Sequence, residues 1–230
     1  MLKVNLNLRN SAAIVRLCSV QVVACLAVSI MFSGCKKDDG DKNQNQNQNP
    51  VIDYLYGVEK GTIVYKKTSW YDDDEPEVVT QKVIFDKQGK QFRLEDGEGY
   101  VYIADDIAKK FWMISLSEEK YWEMDNASAG FNTAYLYWGD DLNSIWSKQP
   151  GYKKESNKTI AGKNCTVYSW NSDGEKYEWG GWSRITFWMH SYEGSPGSDG
   201  ATKLEATSFT ESIPSGNNFL PPSDFTKITF

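Results

Sequence analysis

Histidine is nearly absent from this sequence, with His190 the only example. His190 and the cysteines form no cluster with the spacing of a tetrahedral zinc site. His190 stands beside Ser191 at what reads as a loop edge, so the expectation is an exposed polar residue and not a general base. Gly194-Ser195-Pro196-Gly197-Ser198 does not match a nucleophile elbow. The acidic run Asp72, Asp73, Asp74 and Glu75 carries the hard oxygens that calcium takes. Adjacent carboxylates on one turn are usually solvated, however, and Asp140-Asp141 and Glu118-Glu119 read the same way. An enzyme is therefore not expected, and neither is a metal or cofactor.

Cysteine is scarce where it would matter. Of four cysteines, Cys18 and Cys25 fall in an N-terminal leader and Cys35 at its end. That leaves Cys165 alone in the domain, which excludes an intramolecular disulfide there. A single strand cysteine reads as a small buried hydrophobe. A basic run is also missing. The chain has 25 basic and 31 acidic residues, and the first 34 residues hold only Lys3, Arg9 and Arg16 among the charged ones. The rest of the chain carries 22 basic against 31 acidic residues. Such a balance argues against nucleic acid as a partner.

No apolar stretch is long enough to span a bilayer as a helix. Leu17 to Phe32 is apolar except for Ser19, Gln21 and Ser29, and it falls short of the ~20 residues a spanning helix needs. A basic start, a short apolar middle and small residues after it make a signal peptide, residues 1–34. Its end, Phe32-Ser33-Gly34-Cys35, resembles the lipobox of bacterial lipoproteins, with Phe32 where Leu is usual. The resemblance implies cleavage before Cys35, lipidation of that residue and an outer-membrane anchor facing the periplasm or the cell surface. Lys36-Lys37-Asp38-Asp39 looks like the export tag that follows the lipid-bearing cysteine in Bacteroidetes surface lipoproteins. Gly40 to Pro50 has no apolar residue and cannot pack. Residues 35–50 therefore read as a lipidated tether, reaching at most ~55 Å when extended.

Residues 51–230 are what remains, a length that suits one domain. Aromatics are 14% of the chain, including nine Trp, so the bulk for a core is present. From Gly61 onward, β-branched and aromatic runs alternate with turns at about ten-residue spacing. Strands are predicted at 62–71, 77–86, 91–95, 100–104, 111–116 and 121–124. The period then changes. Tyr135, Trp138, Leu142, Ile145 and Trp146 fall on one helical face, with Asn132 or Thr133 as cap and Pro150-Gly151 as stop. A stripe so aromatic must be covered, most simply by the sheet. Strands resume at 160–170, 176–179, 184–189 and 203–210, with a Gly/Ser-rich loop over 192–202. The expected fold is mainly β with one helical segment: a curved antiparallel sheet, or incomplete β-barrel, wrapped on a helix.

The strand Lys120 to Met124 has the form Lys-x-Tyr-Trp-x-Met and precedes the helical stripe. Thr159 to Tyr168 follows, then a Trp-containing strand and a terminal Phe219-Leu220-Pro221-Pro222. This order resembles the lipoprotein-carrier-like half-barrels of the LolA/LolB superfamily and related Bacteroidetes lipoproteins, over about residues 58–230. The resemblance implies an incomplete barrel with a helix as lid and an apolar cavity for acyl chains.

The tryptophans leave three readings open. They fill the core, line a cavity for an apolar ligand, or stand outward as platforms for sugars or a partner protein. Trp112, Trp138, Trp146, Trp179 and Trp182 are the candidate ligand-binding residues. Gly180 and Gly181 suggest a bulge or tight hairpin between two of them. The leading expectation is a non-enzymatic outer-membrane lipoprotein binding an acyl chain or a lipoprotein's lipid. The rival is a surface module that binds glycan or protein. Inward rings favour the first and an outward row favours the second. Oligomeric state is not legible.

Overall fold

The computed structural model describes residues 56–71, 75–125, 146–216 and 218–229. The leader, Cys35, the tether and most of the expected helical stripe, including Trp138, lie outside the described residues. The compact unit to which the described residues belong runs from Asp53 to Phe230.

Thirteen strands occupy most of the described chain. They are β1 (Gly61–Ser69), β2 (Glu77–Asp86), β3 (Gln91–Glu95), β4 (Tyr100–Asp105), β5 (Lys110–Ser115), β6 (Lys120–Asp125), β7 (Lys153–Lys154), β8 (Lys158–Ile160), β9 (Lys163–Ser172), β10 (Glu175–Trp182), β11 (Ile185–Glu193), β12 (Thr202–Thr210) and β13 (Thr226–Ile228). The described residues are thus mainly β with essentially no helix. A 3-10 turn spans Lys87–Gly89. The expected helix over 135–146 is not seen among the described residues, because all of it but Trp146 lies outside them.

Turn chemistry sets the hairpins. Asp96 Oδ1 accepts from the backbone N–H of Glu98 at 2.8 Å and of Tyr100 at 2.9 Å, closing β3 to β4. Asp105 Oδ1 does the same for Ile107 and Ala108 after β4. Such side-chain acceptors mimic a backbone turn. The hairpins β8–β9, β9–β10 and β10–β11 are closed by Ala161-Gly162, Asp173-Gly174 and Ser183-Arg184, all at positive φ. Two residues of that hand match the right-handed twist of the flanking strands.

The strands pair in the order β13-β6-β5-β4-β3-β2-β1-β12-β11-β10-β9-β7, with β8 also on β9, and the sheet does not close. Every pairing is antiparallel except that of β13 with β6. Two β-bulges interrupt it. One places Thr207 of β12 unpaired opposite the Val64/Tyr65 step, and the other leaves Phe187 of β11 unpaired opposite Gly180/Gly181. Of the bulge or tight hairpin expected at Gly180-Gly181, a bulge is present, its extra residue carried by β11. A Cβ on Gly180 would sit 2.8 Å from Val167 Cγ2, so only glycine lets β9 pass there.

His190 corrects a sequence expectation. It lies within β11, which runs on to Glu193, and is only 7% exposed. The alternation of Ile185, Phe187 and Met189 suggests a strand ending at Met189, short of Glu193. Cys165 matches its expectation: it is buried in β9, and burial raises its thiol pKa to about 11. A thiol so protonated is a poor nucleophile.

The C-terminal strand β13 is held by charge. Glu123 on β6 takes Lys110 at 2.6 Å and Lys227 at 3.1 Å, and Trp112 Nε1 donates to it at 3.2 Å. Hydrogen bonds from Lys110 and Lys227 lower its carboxyl pKa to about 2 from 4.5. A depressed carboxylate stabilises above its unfolded value, and that stabilisation is lost as pH falls from 4.5 toward 2. Glu123→Gln should therefore speed amide exchange at 226–228 at pH 7, with little change in β1. The difference from wild type should shrink as pH falls to about 2.

Candidate functional site: the apolar face of the sheet

Cross-strand register puts apolar side chains in line. Phe209 lies opposite Ile63, Ile63 opposite Val83, Val83 opposite Leu94, Leu94 opposite Tyr102, Tyr102 opposite Met113, and Met113 opposite Trp122, which neighbours Ile228. A second row on the same face runs Phe85, Phe92, Ala104, Phe111 and Met124. Gly61 begins that row, and a Cβ there would lie 2.8 Å from the rings of both Phe85 and Phe209.

Burial changes along the first row. Ile63, Val83 and Leu94 are fully buried, and Tyr102, Met113, Trp122 and Ile228 only partly so. The apolar face thus opens toward β4, β5, β6 and β13. Register carries the same face through Leu204 of β12 and Met189 of β11 to Trp179 of β10. Tyr168 and Trp170 of β9 lie opposite Trp179 and Tyr177.

The opposite face is closed from within the chain. Ile84, Val101, Ile103, Trp112 and Ile114 pack against Phe219, with Ile213 and Phe225 beside them. The C-terminal segment therefore covers this side, and the first side is the one left for another element or a ligand.

The candidate tryptophans separate into groups. Trp146 stacks on Trp170 at 4.7 Å between centroids and on Trp179 at 4.8 Å, and it is 8% exposed. The last residue of the expected helical stripe thus lies on the apolar face. Trp179 Nε1 donates to Thr186 Oγ1 at 2.7 Å, so its polar edge is satisfied. Tyr177 stacks on Trp170 at 5.6 Å and donates its hydroxyl to Glu175 at 2.7 Å. Trp182 meets Phe187 and Phe209 edge-on, with the Lys163 ammonium 4.1 Å from its centroid. Trp112 belongs to the opposite face, beneath Phe219. Trp146 and Trp179 are therefore together, Trp182 is near the β12 end of the first row, and Trp112 is on the far side.

Tyr102, Met113 and Trp122 are not among the candidate ligand-binding residues read from the sequence. Their signal was the alternation of β4, β5 and β6. It was masked by Val101, Ile103, Trp112 and Ile114, which are apolar on the other face. No group of three or more His, Cys, Asp or Glu able to hold a metal is found among the described residues. No described helix is long and apolar enough to cross a membrane.

Comparison with family profiles and with curated sequences gives no match. Solved structures similar in strand arrangement include an uncharacterized conserved protein from Thermus thermophilus. It has a TM-score of 0.47 and 9% identity, over 74% of this chain and 90% of that one. MucB of Pseudomonas aeruginosa, solved with MucA, gives 0.47 and 10% identity over 75% of this chain. The match spans only 59% of the MucB-containing chain. A LolA-superfamily protein from Nitrosomonas europaea gives 0.32 and 7% identity, over 70% of this chain and 90% of that one. Likenesses at these scores assign neither a family nor a function.

The stack of Trp146, Trp170 and Trp179 yields a stability test. Trp170→Ala removes a ring stacked on Trp146, Trp179 and Tyr177 and should cost about 3–5 kcal/mol. Trp122→Ala, at the open end of the face, should cost less than half as much. Denaturant midpoints of the two variants would separate a packed stack from an open face.

Proposed function

We propose that this protein is a lipoprotein anchored to the outer membrane through Cys35, and that its open sheet binds an apolar ligand such as an acyl chain. It acts in this reading as a non-enzymatic carrier or receptor. The observation that carries the proposal is the asymmetry of the two faces. One is closed by the chain's own C-terminal segment. The other is lined by two apolar rows and remains partly exposed at Tyr102, Met113 and Trp122. An apolar surface left accessible on a folded domain marks a place where something binds. An acyl chain laid there gains ~0.8 kcal/mol per buried methylene.

Of the expected helical stripe only Trp146 is described, and its ring rests on Trp170 and Trp179 of this same face. The rival reading, a surface platform for glycans, needs outward rings. Every described tryptophan is buried or half-buried, so no observation favours it.

Two measurements test the proposal. Cys35→Ala should remove the lipid-sized mass from the membrane-fraction protein, since the thiol is the attachment point. An unchanged mass would sink the anchor. The same unlipidated variant, titrated with a long-chain fatty acid, should show a saturable blue shift of tryptophan emission. Soluble glycans should produce none. Adding Met113→Gln should weaken the fatty-acid response about tenfold, equivalent to about 1.4 kcal/mol. A response to glycans alone would overturn the ligand class.

A further inference from the structure

The side of the sheet that carries Trp188 and His190 holds a polar and aromatic cluster of its own. The His190 ring lies 4.7 Å from Tyr192, 6.0 Å from Trp188 and 6.2 Å from Trp70, centroid to centroid. Its Nε2 and the Nε1 of Trp188 are buried and have no hydrogen-bond partner. Charged groups converge from three other strands. Glu178 and Lys176 come from β10, with Glu178 in register with His190. Lys203 comes from β12, also in register with it, and Lys158 from β8. Lys158 and Lys203 sit 4.1 Å and 4.6 Å from the Trp188 ring centroid. Glu178, the carboxylate in register with the imidazole, is already engaged by Lys158 at 3.2 Å and Lys176 at 3.6 Å. Lys203 pairs with Glu205 at 2.7 Å.

Among the pairings that join the long strands β1, β2 and β9 to β12, this cluster sits on the shortest. Strands β11 and β12 pair through four residues, Trp188 to Ser191. The flanking pairings, β10 with β11 and β1 with β12, each run through eight. The Phe187 bulge of the neighbouring β10–β11 ladder lies just before the seam. His190 is one of the four paired residues.

We propose that His190 is an acid-sensitive latch on the β11–β12 seam, whose protonation loosens this seam ahead of the rest of the sheet. An imidazolium here would bury a second N–H without a partner, which costs free energy in proportion to its desolvation. It would also add a cation among three lysines. Burial, Lys203, Lys158 and Lys176 all push the His190 pKa below its usual 6.5, and Glu178 opposes them. When the seam opens, the imidazole meets water and regains its ordinary affinity for a proton. Below pH 6.5 the open form therefore binds a proton that the closed form does not. The opening equilibrium then rises by up to tenfold for each pH unit lost. The latch does not depend on what the apolar face binds.

The test uses the full chain, in which the sole histidine makes the ring-proton NMR titration unambiguous. The His190 midpoint should fall below 6.5. Amide exchange at 188–191 and 202–205, corrected for its intrinsic pH dependence, should accelerate by up to tenfold per unit below that pH. Exchange at 62–66 of β1 should change little. His190→Gln should flatten the seam's response. If that variant does not fold, the wild-type ring titration and the contrast between seam and β1 decide the matter. The proposal is overturned by a midpoint at or above 6.5, by equal acceleration throughout the sheet, or by a folded glutamine variant that keeps the acid response.

Discussion

The alignment of Phe209, Ile63, Val83, Leu94, Tyr102, Met113, Trp122 and Ile228 across neighbouring strands is the constraint on which the rest of the structure depends. Side chains alternate faces with a period of two, so a one-residue slip in any ladder would turn an apolar set over. It would bring Lys82, Arg93 and Glu95 to the face that Val83 and Leu94 now occupy. The turns hold register against that slip. Asp96 and Asp105 each fix a hairpin by accepting two backbone N–H groups. At the edge, the Glu123 carboxylate fixes β13 through Lys227. Local hydrogen-bond chemistry and long-range packing therefore specify the same pairing, which is the consistency that makes a sequence fold to one state.

Much of this was legible in the sequence, for a clear reason. Strands β2 and β3 occupy the ranges that alternation and turn residues predict, 77–86 and 91–95. Their outer positions are polar enough for the period to show. The face assignment of Trp112 was not legible. Strand β5 reads Lys-Phe-Trp-Met-Ile-Ser, apolar on both sides, and periodicity cannot rank two apolar faces. Strand β13 carried no signal either. It has three residues and pairs in parallel, without a hairpin turn to announce it. His190 was misjudged because the alternation of Ile185, Phe187 and Met189 ends at Met189 and a Gly/Ser-rich stretch follows from 192, although β11 runs on to Glu193. Gly180 and Gly181 hinted at irregular pairing, but not at which strand would carry the extra residue.

The two faces differ in what covers them. The covered face uses Phe219, Ile213 and Phe225 from one contiguous stretch of chain, so its closure is complete once that stretch docks. The other face has two kinds of cover. Near β9 and β10, rings stack on rings, with Trp146 lying across Trp170 and Trp179. Near β4 to β6, Met113 and Trp122 are only half-buried. Trp and Met tolerate partial exposure better than branched aliphatics. Trp keeps a polar edge for water, and Met adapts its shape to whatever it meets. The graded burial of one row thus joins a fixed core to an adaptable surface without a break in register.

That continuity also sets the apolar face back to back with the His190 cluster across one ladder. Met189 and Leu204 belong to the apolar face and are register partners across the β11–β12 seam. The next pair, His190 with Lys203, projects to the other side. Widening the seam must therefore separate Met189 from Leu204 and part the apolar face between the tryptophan stack and the two long rows. A proton taken up on one side of the sheet would reshape the surface on the other through the shared backbone ladder. No contact through the core is required, because adjacent residues of one strand serve opposite faces.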